Sequence, residues 1–289
     1  MARHTSWRVG GPADRYYAPE DSAALAEFLH TLPAAEPLTW VGLGSNLLVR
    51  DGGIRGTVIS LTRLPEQLEQ SGELTVTASA GIACAKLARF CAEAGLTGAE
   101  FLAGIPGTLG GALAMNAGAW GGETWSVVEW VETLDRQGQR HQHSPSDYTI
   151  GYRSVEGPAD EWFLRAGLVL QPDTTGRART QIRDLLARRA GSQPMGQHSC
   201  GSVFRNPKND HAARLIEACG LKGFSIGHAR VSDKHANFII NTGGAAAADI
   251  EALIEHVQQA VRAQAGVELI SEVRIIGEAA APTNEDDRL

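Results

Sequence analysis

The sequence predicts an α+β protein of two domains, and three observations carry that expectation. Segments with period-two and with helical apolar spacing alternate along the 289 residues. Glycine falls in two bursts that follow strand or helix patterns, and a polar stretch from Gln171 (QPDTTGRART) interrupts the apolar patterning. A hydrophobic content of 43% is ordinary for a globular core of this length.

Asp21 or Ser22 can cap a helix with Leu25, Phe28, Leu29 and Leu32 on one face; Pro33 and a strand over residues 38–43 follow. Leu74, Val76, Ala78 and Ala80 alternate as a strand. Ala83, Leu87, Phe90, Cys91 and Ala94 then recur at helical spacing until Gly95 ends the run. Strands are predicted over residues 127–134 and 162–170, with the domain junction in the polar stretch after them. Beyond it come a basic helix around Ile182, Leu185 and Leu186, and a helix near 211–219 ended by Gly220. A strand over 238–240, a helix carrying Ile250, Leu253, Ile254, Val257 and Val261, and strands over 267–270 and 273–276 complete the chain. The expected domains are 1–172 and 173–289, with a disordered tail from about residue 279.

The net charge of -7 and the lack of a basic run exclude a nucleic-acid footprint. No apolar stretch approaches the length of a membrane span, and the N-terminus has no apolar signal region, so a cytoplasmic protein is expected. Cys84, Cys91, Cys200 and Cys219 have neither disulfide-framework nor zinc spacing and read as core thiols. His141 and His143 lack further ligands nearby, so no metal is expected.

The first glycine burst is GLGSNLLVRDGGIRG from Gly42; the second, AGIPGTLGGALAMNAGAWGG, has seven glycines among the nineteen residues from Gly104 to Gly122. Such turns let backbone amides approach a phosphate-bearing cofactor, although each alone can be just a tight turn. Neither a complete GxGxxG nor a GK[ST] is present, which disfavours Rossmann and P-loop sites.

Eight motifs in order add a resemblance: TSWRVGGPA at Thr5, the two glycine bursts, GYRS at Gly151, GSVFRNP at Gly201, LIEACGLKG at Leu215, VSDKHANFIIN at Val231 and EVRIIGE at Glu272. Together they resemble the UDP-N-acetylenolpyruvoylglucosamine reductase family over nearly the whole chain. The resemblance implies a two-part FAD-binding domain of the vanillyl-alcohol-oxidase type, carrying Arg153, and a smaller C-terminal α/β substrate domain carrying Ser202 and Glu272. FAD would be held noncovalently by Gly42, Gly44, Ser45, Asn46, Gly104, Ile105, Pro106, Gly107, Gly111, Asn116, Gly118 and Tyr152. NADPH would reduce it, and hydride would pass to the enolpyruvyl group of UDP-N-acetylglucosamine enolpyruvate, giving UDP-N-acetylmuramate for peptidoglycan. The family also implies a cytoplasmic monomer serving cell-wall synthesis, cell shape and division.

Of the implied catalytic positions, Arg153 would hold the substrate carboxylate, Glu272 would help stabilise the developing negative charge, and Ser202 would donate the proton. Read without the family, the three are a surface salt bridge, an edge-strand carboxylate and a turn serine. Arg205, Asn206, Lys222 and Lys234 are the implied substrate contacts. Only 48 residues separate Arg153 from Ser202, which resembles the shorter subclass lacking an inserted tyrosine loop. An FAD-dependent oxidase of the same superfamily and a noncatalytic nucleotide-sugar binder are the alternatives.

Overall fold

A computed structural model describes residues 1–281, in two compact units. The central unit comprises Tyr16–Leu43 and Ile59–Ser192; the terminal unit comprises Met1–Arg15, Gly44–Val58 and the chain from Gln193 onward. The expected tail from about residue 279 falls largely on residues 282–289, outside the described residues.

The central unit is built on a five-stranded antiparallel sheet. Its order is Arg140–His143, Val128–Asp135, Glu161–Val169, Thr75–Ser79, Leu68–Gln70. Register places Val131 opposite Ala166 and Ala166 opposite Ala78, all fully buried, so small and β-branched side chains stack across three strands. Helix α1 (Ser22–Thr31) starts where Asp21 accepts a 2.7 Å hydrogen bond from the Ala24 amide, the cap expected from sequence. Its Leu25 and Leu29 pack with Ile59, Leu61, Leu134 and Leu164. Helix α2 (Cys84–Glu93) buries Cys84, Leu87, Ala88 and Cys91 against the sheet, and Gly95, at φ 75°, follows its end.

Helix α3 (Leu109–Met115) lies inside the second glycine burst, capped by Thr108. Helix α4 (Ala178–Ser192) belongs to the central unit, because Ala178 and Ile182 join its main core. The units therefore divide after Ser192, whereas the expected division follows residue 172. The polar stretch is a helix entry: Gln171–Pro172 pairs with Leu96–Thr97, and the Asp173 carboxylate accepts from the amides of Arg177 and Ala178.

The terminal unit has its own core, centred on Trp7, Phe204, Leu215, Ile216 and the buried stripe of α6 (Ala247–Ala265). That stripe is Ile250, Leu253, Ile254, Val257 and Val261, the face expected from spacing. Helix α5 (Ala212–Ala218) packs in the same core. Ser225–Ile226, Ala229–Val231 and Ile239–Asn241 make an antiparallel sheet, and Arg274–Ile276 pairs in parallel with Leu47–Val49. Residues 267–270 are not a strand: only scattered bonds reach this extended segment, from Arg205 to the Ile270 carbonyl and from Gln258 to that of Leu269.

The RDGG part of the first glycine burst is architecture. Arg50 grips Glu251 through Nη2 at 2.7 Å and Nε at 3.0 Å, while the Asp51 carboxylate accepts from the first amides of α6, Ala247 and Ala248. A Cβ on Gly53, at φ 87°, would overlap the Pro12 carbonyl.

Candidate functional site

In the terminal unit the GSVFRNP segment is fixed on both sides. The Asn237 side chain clamps Phe204, accepting from its amide at 2.9 Å and donating to its carbonyl at 2.8 Å, while the Val203 amide donates to the Asn237 carbonyl. On the other edge, the amide of Glu272 donates to the Val203 carbonyl at 2.8 Å, and that of Arg205 to Ile270. Val203 and Phe204 are buried anchors, leaving their neighbour Ser202 half-buried. Ser202 and Glu272 thus lie on adjacent extended segments. Gly201, at φ 74°, turns the chain into this segment with open space around it, so its conformation rather than room requires glycine.

Asn46 joins the first glycine turn to the same place. Its side-chain amide donates to the Glu272 carbonyl at 3.0 Å, and its own carbonyl accepts from Arg274. The Gly44 carbonyl accepts from Ser6, and Gly44 itself, at φ 61°, packs where a Cβ would overlap the His4 carbonyl. Cys200 lies under this turn, its thiol 3.5 Å from the Leu47 carbonyl and pushed up to about 12 by burial. The turn is thereby held rigidly beside Glu272.

Of the expected substrate contacts, Arg205 shares the GSVFRNP segment, whereas Asn206 caps a helix, its carbonyl oxygen accepting from the Ala212 amide at 3.1 Å. Lys222 pairs with Glu217 at 2.7 Å. Lys234 is exposed in the turn organised by Ser232, whose hydroxyl accepts from its amide.

In the central unit Tyr152 and Arg153 form the two-residue turn between Thr149–Gly151 and Ser154–Glu156. Arg153 sits at φ 55°, a left-handed conformation that costs a non-glycine residue roughly 1 kcal/mol or more. What holds it there is its own side chain: Nη2 donates to the Gly118 carbonyl at 2.8 Å and Nη1 to that of Asn116, and the guanidinium lies 5.1 Å from the Tyr152 ring centre. A Cβ on Gly118 would stand 2.5 Å from the Gly122 carbonyl and 3.1 Å from Arg153 Nη1. Asn116 is buried at φ 47°, donating to Glu123 and to the Gly151 carbonyl and accepting from the Trp125 amide. It acts as the hub that seats the arginine turn.

The second glycine burst engages its amides within the unit more than expected. Leu109 and Gly110 donate to the carbonyls of Ile82 and Ala80, Gly111 to the Thr108 hydroxyl and Ile105 to Leu102; the Gly107 carbonyl accepts from Cys84. A Cβ on Gly104 would overlap the Trp120 ring. Several of these glycines therefore admit the protein's own atoms. What they leave is a cavity of about 180 Å³ walled by Trp40, Val41, Gly42, Ala80, Gly81, Thr108, Gly110, Gly111, Glu161, Trp162 and Phe163. Gly42 is required on its wall, because a Cβ there would stand 2.5 Å from Thr108 Oγ1. Trp40 Nε1 is buried with no hydrogen-bond partner among the described residues. A glycine-walled, aromatic cavity with a carboxylate-bearing residue in its lining fits part of a nucleotide cofactor.

Asn237, Trp40, Thr108, Glu161 and Trp162 escape a reading of the sequence alone. Trp40 precedes a glycine motif and Thr108 lies within one, which is a usable signal; Asn237, inside VSDKHANFIIN, and Glu161 find their partners only in residues far away in sequence. The two histidines are taken separately, His141 by Asp135 at 2.8 Å and His143 by Glu161 at 2.7 Å. Among the described residues no group of three or more His, Cys, Asp or Glu side chains could hold a metal, and no helix is long and apolar enough to cross a membrane.

Comparison with known proteins agrees with both halves. Residues 13–144 match the family described as FAD binding domain, and residues 193–276 match that of UDP-N-acetylenolpyruvoylglucosamine reductase, C-terminal domain. UDP-N-acetylenolpyruvoylglucosamine reductase of Alkalilimnicola ehrlichii is 60% identical over 279 residues, 96% of this chain and 93% of that one. That of Methylococcus capsulatus is 59% identical, covering 97% and 92%. The crystal structure of UDP-N-acetylenolpyruvylglucosamine reductase from Thermus caldophilus superposes with a TM-score of 0.82 at 33% identity, covering 95% of this chain and 96% of that one.

Proposed function

Since the chain belongs to the UDP-N-acetylenolpyruvoylglucosamine reductase family, we propose that it reduces UDP-N-acetylglucosamine enolpyruvate to UDP-N-acetylmuramate, with NADPH as reductant, in a cytoplasmic step of peptidoglycan precursor synthesis. FAD, when bound, supplies the hydride relay from nicotinamide to the substrate alkene. The residues that would hold it are those of the Gly104–Gly111 loop and the glycine-walled cavity, with Gly44, Ser45 and Asn46 as further contacts that the family motif implies.

Hydride arriving at the terminal alkene carbon places carbanion character on the carbon bearing the ether and the carboxylate. Arg153 then holds that carboxylate and neutralises the growing charge, a role suited to a planar, permanently charged guanidinium. Its left-handed backbone and its bonds to two carbonyls support this reading, because strain of this kind persists where the surroundings fix a side chain. The Ser202 hydroxyl delivers its proton to the carbanion carbon, and Glu272 acts on the same charge from the neighbouring segment. The hydrogen bond from the Glu272 amide to the Val203 carbonyl is the observation that most supports the assignment, since it ties the backbone of Glu272 to the residue next to Ser202. Asn46 then has a positioning role through the Glu272 carbonyl.

Ser202→Ala tests the assignment. Flavin content and reduction by NADPH should match the parent protein, while turnover of the enolpyruvyl substrate should fall by at least ~100-fold, the low end for loss of an acid–base group. Turnover within a few-fold of the parent would remove Ser202 from the mechanism.

A further inference from the structure

The motif TSWRVGGPA at Thr5 has no part in the chemistry proposed above, yet its backbone is strained around one side chain. Trp7 and Val9 are buried in the core of the terminal unit; Trp7 Nε1 donates to the Ile239 carbonyl at 2.7 Å, and the Trp7 carbonyl accepts from Asn241 at 2.8 Å. The Thr5 hydroxyl donates to the Val9 carbonyl at 2.9 Å and the Arg8 amide to the Thr5 carbonyl, which closes a turn. Arg8, between two buried anchors, is held exposed at the tip of this turn in the left-handed region, at φ 59°. Glycine or asparagine adopts that backbone at lower cost, so the strain directs attention to the guanidinium. Arg8 Nη1 donates to the Arg3 carbonyl at 3.1 Å, which brings it to the residue that carries a second exposed guanidinium. Neither arginine has a carboxylate partner among the described residues, in a chain whose net charge is -7. The local field is positive: His4 has its pKa pushed below the ordinary 6.5, first by burial and then by the terminal ammonium, Arg3 and Arg8.

Two uncompensated guanidiniums ask for a dianion. A carboxylate would neutralise one of them, whereas a phosphate monoester has three free oxygens and carries about −1.5 to −2 charges at pH 7, enough for both forks. We propose that Arg3 and Arg8 form a site for a phosphate monoester, and that this monoester is the 2′-phosphate of NADPH. In the reaction proposed above, FAD and the UDP-sugar carry their phosphates only as diphosphate bridges; NADPH alone adds a monoester, and NADH lacks it. Arg3 and Arg8 are thus specificity residues for the reductant and take no part in the hydride or proton transfers. The assignment to NADPH rests on the function proposed above, whereas the preference for a monoester does not.

Adenosine 2′,5′-bisphosphate and 5′-AMP differ in the 2′-phosphate alone, and calorimetry on the full-length protein with its flavin bound gives the affinity for each. The bisphosphate should bind at least about tenfold more tightly, the size expected of charge-assisted hydrogen bonds to a dianion. Arg3→Gln and Arg8→Gln should each cut that preference at least about threefold, and the double variant should bring it to about one. Arg8→Lys, which keeps the charge and loses the fork, should fall between parent and Arg8→Gln. Arg262→Gln removes another exposed arginine of the same unit, so it controls for net charge and should keep the parent's preference. In stopped-flow flavin reduction, the ratio of the rate with NADPH to that with NADH should fall in step with the binding preference across the variants. Equal affinities in the parent protein, a preference that survives in the double variant, or an equal fall in Arg262→Gln would overturn the proposal. A preference that survives while flavin is lost would assign the two arginines to the diphosphate of FAD instead. A protein that prefers the bisphosphate, yet whose reduced flavin the enolpyruvyl substrate does not reoxidise, would keep this inference and refute the proposed function.

Discussion

Replacing Asn237 with alanine removes the clamp on the segment that carries Ser202. Asn237 is 3% exposed, and its side chain satisfies both the amide and the carbonyl of Phe204, itself 2% exposed. Water cannot readily replace those bonds. Each buried backbone group left without a partner costs about 1–3 kcal/mol, so Asn237→Ala should lose about 2–6 kcal/mol. With a urea dependence of ~1–3 kcal/mol per molar, the unfolding midpoint of the transition that reports the terminal unit should fall by at least about 0.7 M. Asn237→Asp keeps the acceptor for the Phe204 amide but sets a buried carboxylate oxygen against its carbonyl, so at neutral pH it should not rescue the loss. Urea titrations followed by far-UV circular dichroism and tryptophan emission measure both. At temperatures where the alanine variant remains folded, its oxidative half-reaction should also be slower, because Ser202 lies two residues before the clamped position. A loss below about 0.5 kcal/mol, the range of an ordinary surface change, would refute the clamp.

Other consequences can be checked separately. Gly118→Ala places a methyl 2.5 Å from the Gly122 carbonyl and 3.1 Å from Arg153 Nη1, so it should destabilise by about 1–3 kcal/mol and lower turnover more than NADPH-dependent flavin reduction, as read by stopped-flow absorbance. Cys84, Cys91 and Cys200 are buried with thiols pushed up to about 12 by desolvation, so a thiol reagent at pH 8 should modify Cys219 alone among the four until denaturant is added. His141 has its pKa raised above the ordinary 6.5, chiefly by the hydrogen bond to Asp135. Its contribution to stability is therefore complete below pH 6.5 and lost as the pH rises through the raised value. His141→Asn should flatten that part of the dependence of Tm on pH, and an unchanged slope would count against the pair.

Helices are legible in the sequence because their signals are local. Asp21 announces α1, and the stripe from Ile250 to Val261 defines the buried face of α6. The polar run after Gln171 misleads for a physical reason: Asp173 uses its carboxylate to start α4, and Ala178 and Ile182 then return to the central core. Composition alone cannot separate a helix entry from a junction. The glycine bursts are legible as tight backbone but not in purpose, since a close approach to Trp120 or Thr108 and a close approach to a ligand demand the same missing Cβ. Arg153, Ser202 and Glu272 are legible only through their motifs. The partners that the motifs do not reveal, Phe204 over Asn237 and His143 beside Glu161, depend on pairings across the fold.

The proposed chemistry stands most directly on one anaerobic measurement. The purified protein is reduced with NADPH while the flavin band is followed, and UDP-N-acetylglucosamine enolpyruvate is then added. Bleaching by NADPH, followed by rapid return of the oxidised spectrum with UDP-N-acetylmuramate as product, is the predicted result. A flavin that NADPH bleaches but this substrate leaves reduced would contradict it.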